Sequence, residues 1–257
     1  MMPSPVKNTS AKTLPPCSSA WLIYFLISIA FLGSLMAFGI CVPLYLLSRF
    51  LPNLEARADQ IMCRGIHLLL RLQPWLRSEI ALDLPMLPGR GYLLISNHRS
   101  HLDTFILLAH ICGLRILAKK SLFAIPFLGV MMILSRQIPT ARGRVDSFMQ
   151  ALQLIRVRLR LGERVHIFAE MSRCPAGFAG GTQNFSLAPF LIAHQENILI
   201  IPIVFRDTDL VWPKGVFGLS YRQPIQVRAL EVIDPSQFAS AELLKNAVQQ
   251  RINEALK

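Results

Sequence analysis

Tyr92-Leu93-Leu94-Ile95-Ser96-Asn97-His98-Arg99-Ser100-His101-Leu102-Asp103-Thr104-Phe105-Ile106-Leu107-Leu108-Ala109-His110-Ile111 changes its character in the middle. Residues 92–96 are a short run with no charge, which reads as a buried strand, and residues 102–112 read as an apolar helix. Polar residues fill the junction, with His98 where the strand ends and Asp103 in the first helical turn. Inside a regular helix, residues five apart point about 140° away from each other. Only an irregular junction can bring the carboxylate to the imidazole, and an imidazole held that way is a general base for a hydroxyl. The same residues admit two other readings. Ser100-x-x-Asp103 is a capping-box pattern ahead of an apolar helix, and this role is compatible with catalysis because a carboxylate has more than one lone pair. His98, His101 and Asp103 are also three potential metal ligands. The remaining histidines (His67, His110, His166 and His194) form no second cluster, and His166 in its apolar strand reads as a hydrogen-bonded core residue.

Outward from this stretch, strands and helices alternate. Strands are expected at 92–96, 114–118, 164–169, 198–205 and 224–229. Helices are expected at 102–112, 126–135, 146–161, 185–194 and 240–255. In the helix at 146–161, Phe148, Leu152, Ile155 and Leu159 form one apolar stripe. Such alternation predicts an α/β fold with a mixed central sheet flanked by helices. There is neither a GxGxxG nor a P-loop, which argues against dinucleotide and nucleoside triphosphate sites.

Upstream, the composition shifts. The chain has 257 residues, 53% of them hydrophobic, and a net charge of +12, yet no charge occurs between Lys12 and Arg49. Trp21 to Leu47 is long enough to cross a bilayer core of about 30 Å, and too long for the apolar core of a cleaved signal peptide. Gly39 and Pro43 leave a re-entrant hairpin open as the alternative. From Asn53 to Gln73, Leu54, Ala58, Ile61, Met62, Ile66, Leu69 and Leu70 share one helical face, and Arg57, Arg64 and Arg71 recur every seven residues. That is the pattern of an interfacial helix facing anionic headgroups; packing on the main domain is the competing reading. The expected organisation is a flexible tail over 1–20, an anchoring helix and an amphipathic helix over 21–76, and one globular domain over 77–257. The cysteines (Cys17, Cys41, Cys63, Cys112, Cys174) are odd in number and form no CxxC, so their spacing indicates neither a disulfide framework nor a zinc site. The basic balance fits a membrane surface or a phosphorylated substrate; without interleaved aromatics it does not point to nucleic acid.

Three further segments place polar groups near strand ends, where open α/β sheets gather their ligands. Lys119 to Gly129 leads on to Arg142. Ile167-Phe168-Ala169-Glu170-Met171-Ser172-Arg173 is the second, and Leu199 to Val204, with Pro202, the third. Arg142 and Arg173 carry the paired donors that clamp a phosphate.

Together these segments resemble the four blocks of the glycerolipid acyltransferases that acylate lysophosphatidic acid. Asn97, His98, Ser100 and Asp103 match every fixed position of the first block, Asn-His-x-Ser-x-x-Asp. Lys120, Leu122, Pro126, Gly129 and Arg142 are similar to the second, and Pro202 to the fourth. The third block usually reads Phe-Pro-Glu-Gly-Thr-Arg-Ser; here it is Phe168-Ala169-Glu170-Met171-Ser172-Arg173-Cys174, and Met171 replaces a glycine that reaches backbone angles costly for methionine. The resemblance implies a metal-free, membrane-anchored O-acyltransferase of phospholipid synthesis at the cytosolic face, on the inner membrane if the source is bacterial. Acyl-CoA or acyl-carrier protein would be the cosubstrate and lysophosphatidate the acceptor. It assigns catalysis to His98 and Asp103, acceptor binding to Lys120, Arg142, Glu170 and Arg173, and support to Asn97, Ser100 and Ser172. Glu170 is expected to position the arginine clamp. Acylation of glycerol 3-phosphate or another lyso-lipid such as lyso-ornithine lipid remains open, as does a membrane-attached lipid-binding protein without turnover.

Overall fold

The computed structural model describes residues 33, 36, 38–51, 53–73, 77–85, 91–141, 143–175, 178, 181–215 and 224–257. The expected tail and residues 21–32 of the expected anchor lie outside them, as does Arg142. Helix α1 is described over residues 38–47, and α2 spans Asn53–Arg71. Then come β1 (Arg77–Ala81), β2 (Tyr92–Ser96), α3 (Leu102–His110), β3 (Arg115–Lys119), a 3-10 turn (Lys120–Ala124), α4 (Leu128–Leu134), β4 (Ile138–Thr140), α5 (Val145–Arg160) and β5 (Arg164–Phe168). The chain closes with α6 (Ala188–Gln195), β6 (Ile200–Arg206), α7 (Thr208–Val211), β7 (Pro224–Ala229) and α8 (Ala241–Ala255).

The strands form one mixed sheet in the order β1-β7-β6-β2-β5-β3-β4. The β6–β7 pair is antiparallel and the others are parallel. β2, β5 and β6 are buried on both faces, which is why their sequences run apolar without alternating. The pleat still sorts them. Leu93 and Ile95 pack with α5, α6 and α8 on one face, whereas Tyr92 and Leu94 pack with Ile106 and Leu107 of α3 on the other. The strand-end junctions therefore open between two helical layers. Gly129 is required where α4 meets the 3-10 turn, because a Cβ there would collide with the carbonyl of Phe123.

Helix α2 does pack on the domain. Ala58, Asp59 and Cys63 are buried, and the Tyr45 hydroxyl donates to Asp59 at 2.6 Å. Arg115, at the head of β3, pairs with Glu55, Asp59 and Glu163. A disulfide joins Cys63 to Cys112 beyond α3. The cysteine spacing gave no sign of this bridge: the partners are 49 residues apart, and only the packing of α2 on α3 brings them together. The helix ends at Arg71, short of the expected Leu76. No helix among the described residues is long and apolar enough to cross a membrane.

Candidate active site

The junction folds as its spacing requires. His98 Nδ1 lies 3.0 Å from Asp103 Oδ2. The same oxygen accepts the backbone N–H of Arg99 and of Ser100, each at 2.8 Å. Asp103 therefore closes the junction loop and orients the imidazole with one oxygen, so its loop-closing bonds are compatible with a role beside His98. The Ser100 hydroxyl accepts from the Leu102 N–H and donates to the Trp212 carbonyl, which ties the loop to α7. Asn97 brackets Phe205 of β6: its Nδ2 donates to the Phe205 carbonyl and its Oδ1 accepts the Phe205 N–H.

An ionised carboxylate only accepts, so His98 carries its proton on Nδ1 and leaves Nε2 as the basic nitrogen. Nε2 has no partner among the described residues. The Asp103 side chain is fully buried and that of His98 is 15% exposed, so the base faces outward from a dry support. His98 lies flat on Phe168, with ring centroids 3.7 Å apart and an interplanar angle of 19°. Phe168 in turn meets His166 edge-on. His166 is the core histidine expected: it is fully buried, bonded to Ser96 Oγ at 2.9 Å, and its pKa is lowered by burial and by His98 to about 3.

Glu170 departs from its expected part. Its Oε1 accepts the backbone N–H of His98, and its Oε2 accepts from the Cys174 thiol and from Gln183 Nε2. It holds the junction loop and makes no ion pair with Arg173; the turn after β5, closed by the Met171 N–H on the Phe168 carbonyl, places the carboxylate beside the end of β2. Burial, with Glu170 alongside, raises the Cys174 thiol to about 12, so it stays protonated and donates. Cys174 and Gln183 were missed; Gln183 lies 13 residues beyond Glu170 with no motif between.

Arg173 is half-buried near Asp103, and burial pulls its guanidinium below the ordinary arginine value, partly offset by Asp103. Lys120 is exposed at the head of the 3-10 turn. The Ser172 carbonyl accepts from Gln183. Met171 takes φ 55°, the left-handed conformation that glycine adopts freely. The loop thus keeps a glycine-like path in spite of the substitution. His101 turns to Trp212, and no group of metal-ligating side chains converges among the described residues.

An acyltransferase family model matches residues 78–206, from β1 to the end of β6. The 1-acyl-sn-glycerol-3-phosphate acyltransferase of Pseudomonas aeruginosa is 29% identical over 71% of this chain and 68% of its own length. The chloroplastic enzyme of that name from Arabidopsis thaliana is 26% identical over 63% of this chain and 44% of its own. The Saccharomyces cerevisiae one is 30% identical over 61% and 52%. The chain thus spans about half the length of several curated relatives it matches. The crystal structure of the 1-acyl-sn-glycerophosphate acyltransferase PlsC from Thermotoga maritima superposes with a TM-score of 0.78 at 18% identity, over 92% of this chain and 93% of that one. That likeness establishes the fold.

Proposed function

Because the chain belongs to the acyltransferase family, we propose that it moves a fatty acyl group from a thioester donor to the free hydroxyl of lysophosphatidate. The donor is acyl-CoA or acyl-carrier protein. One observation carries the reading: His98 Nδ1 is engaged by Asp103 at 3.0 Å while Nε2 stays open. The relatives' names supply the acceptor.

Nε2 takes the proton of the acceptor hydroxyl as its oxygen attacks the thioester carbonyl. Asp103 stabilises the imidazolium that results. Collapse of the tetrahedral adduct breaks the carbon–sulfur bond, and His98 returns the proton to the leaving thiolate. Ester and thiol are the products. Lys120, Arg142 and Arg173 hold the acceptor phosphate, and Glu170 fixes the backbone that carries His98. Membrane attachment fits the uncharged stretch from Trp21 to Leu47 and the exposed apolar side chains beside it. Phe50 is 83% exposed, and Leu47, Leu51, Leu68, Leu72, Phe127 and Ile133 are exposed as well. Such a location keeps an apolar acceptor within reach of the base.

The test is acylation of radiolabelled lysophosphatidate by the full chain with either donor. His98→Ala should lose at least about 10²-fold in turnover with an unchanged melting temperature. Near-normal turnover in that variant rejects the mechanism; turnover on glycerol 3-phosphate but not on lysophosphatidate reassigns the acceptor.

A further inference from the structure

The far end of α3, about 10 Å along the helix axis from Asp103, carries a second polar cluster that acyl transfer does not use. A pocket of about 410 Å³ lies between α2 and the end of α3, lined by Cys63, Arg64, His67, Leu68, Arg71, Ala109, His110 and Cys112. Arg64, His67 and Arg71 stand at positions i, i+3 and i+7 of α2, so they share one face. His110 closes the pocket from α3, and its ring meets that of His67 edge-on at 5.0 Å. Two guanidiniums and two imidazoles thus line one hollow with no carboxylate among its described walls.

The buried side of the same helix is built differently. There Glu55 and Asp59 are matched by Arg115. Here neither Arg64 nor Arg71 has a hydrogen bond or an ion pair among the described residues. His110 Nδ1 is bonded to the Ile106 carbonyl at 2.9 Å, so Nδ1 carries the proton and Nε2 is its remaining nitrogen. Burial, with His110 and Arg71 beside it, holds His67 below the ordinary histidine value; the surroundings repel a further positive charge. The Cys63–Cys112 bridge fixes the two walls to each other, so the helices that carry the donors need not rearrange before a ligand arrives.

We propose that this pocket binds a phosphate group, with Arg64 and Arg71 as paired donors on its oxygens and His67 and His110 as further donors when protonated. The exposed side chains of Leu68 and Leu72 beside it favour a lipid headgroup as the source over free phosphate. The site is separate from the acceptor site around His98 and does not depend on turnover. Occupancy places α2 and the end of α3 at headgroup depth.

The experiment follows the imidazole nitrogen resonances of His67 and His110 in the full chain, held in non-ionic micelles. One arm adds phosphatidate, a second phosphatidylcholine, a third inorganic phosphate, and a fourth sodium chloride at matched ionic strength. Phosphatidate should shift both histidines and raise the pKa of His67, since a bound anion reverses the repulsion. Phosphatidylcholine and chloride should leave them in place. R64Q/R71Q should weaken the phosphatidate response at least about tenfold, and R57Q, on the same stripe but outside the pocket, should keep it within about twofold. If inorganic phosphate alone gives the full response and R64Q/R71Q abolishes it, the site stands with free phosphate as the source. No shift with either phosphate, a chloride response of equal size, or a phosphatidate response indifferent to R64Q/R71Q overturns the proposal. None of these readouts is acylation, so failure here and failure of the catalytic reading are separable.

Discussion

Two charged clusters sit at opposite ends of the sheet and are built on opposite principles. At the amino ends of β3 and β5, Arg115 is 4% exposed and surrounded by Glu55, Asp59 and Glu163. Arg136 reaches Glu55 and Arg158 reaches Glu163. Burial there opposes the guanidinium's charge, and the carboxylates outweigh it, holding Arg115 above the ordinary arginine value. At the carboxyl ends of β2 and β5, Asp103 through Oδ2 and Glu170 through both oxygens engage backbone N–H groups, a thiol, an amide and one imidazole nitrogen. The first cluster matches charge with charge and fastens α2. The second fixes a loop and leaves one basic nitrogen unspent. Charges matched to one another fasten helix to sheet, whereas the strand-end junction keeps one basic nitrogen open on a buried support.

The largest effect is expected from removing Arg115. Arg115→Leu leaves the buried Asp59 without a cation, and leaves Glu55 and Glu163 with only Arg136 and Arg158; loss of one partner of a buried ion network costs about 3–5 kcal/mol. Chemical denaturation should show that loss, while turnover per folded molecule stays within about twofold. A fall in turnover without a fall in stability would mean that the two clusters are not separate devices.

Asp103→Asn works the other way. The amide oxygen still accepts from Arg99 and Ser100, so the melting temperature should hold. The carboxylate that fixes the tautomer and balances the imidazolium is gone, so turnover should drop by about 10²-fold or more. Full activity would reduce Asp103 to a loop-closing residue. Phe168→Leu sharpens the picture further, since it removes the ring under His98 but no charge. An aromatic stack is worth about 0.5–1.5 kcal/mol, so turnover should fall by up to about tenfold at unchanged acceptor KM. A change confined to KM would place Phe168 in acceptor binding.

The smallest effect is expected at Met171. Left-handed backbone at a side chain costs about 1–2 kcal/mol. Met171→Gly relieves that cost, loses the packing of Met171 against the core, and loosens the unfolded chain by about 0.4–1 kcal/mol. Stability should move by less than about 1 kcal/mol, with turnover unchanged. A large loss of turnover would show that the methionine side chain takes part in the site.

Local pattern made much of this readable in advance. β2 and β7 have the expected bounds, because an unbroken apolar run and a clean alternation are period signals that need no partner. The longer helices followed from their apolar stripes. β1, with Arg77, Ser78 and Glu79, and β4, three residues with a central proline, carry no such signal; pairing with β7 and β3 makes them strands. His98 and Asp103 could be paired from spacing, since both lie on one strand-to-helix junction and the geometry between them is local.

The rest was decided by contacts across the sequence. Glu170 turned from an arginine partner into the support of His98, because β5 lies beside β2 and presents its end to that loop. Gln183, Cys174 and the ring of Phe168 joined the site by the same adjacency. Cys63 found Cys112, and Glu55 and Asp59 found Arg115, only when α2 settled on α3. Most element types, the apolar cores and the pairing of His98 with Asp103 are written in local pattern, since each rests on periodicity or on residues close together in the chain. Which polar groups saturate one another, and which nitrogen is left open, belonged to the tertiary structure, because a buried hydrogen bond is settled by whichever donor the packing brings within 3 Å of it.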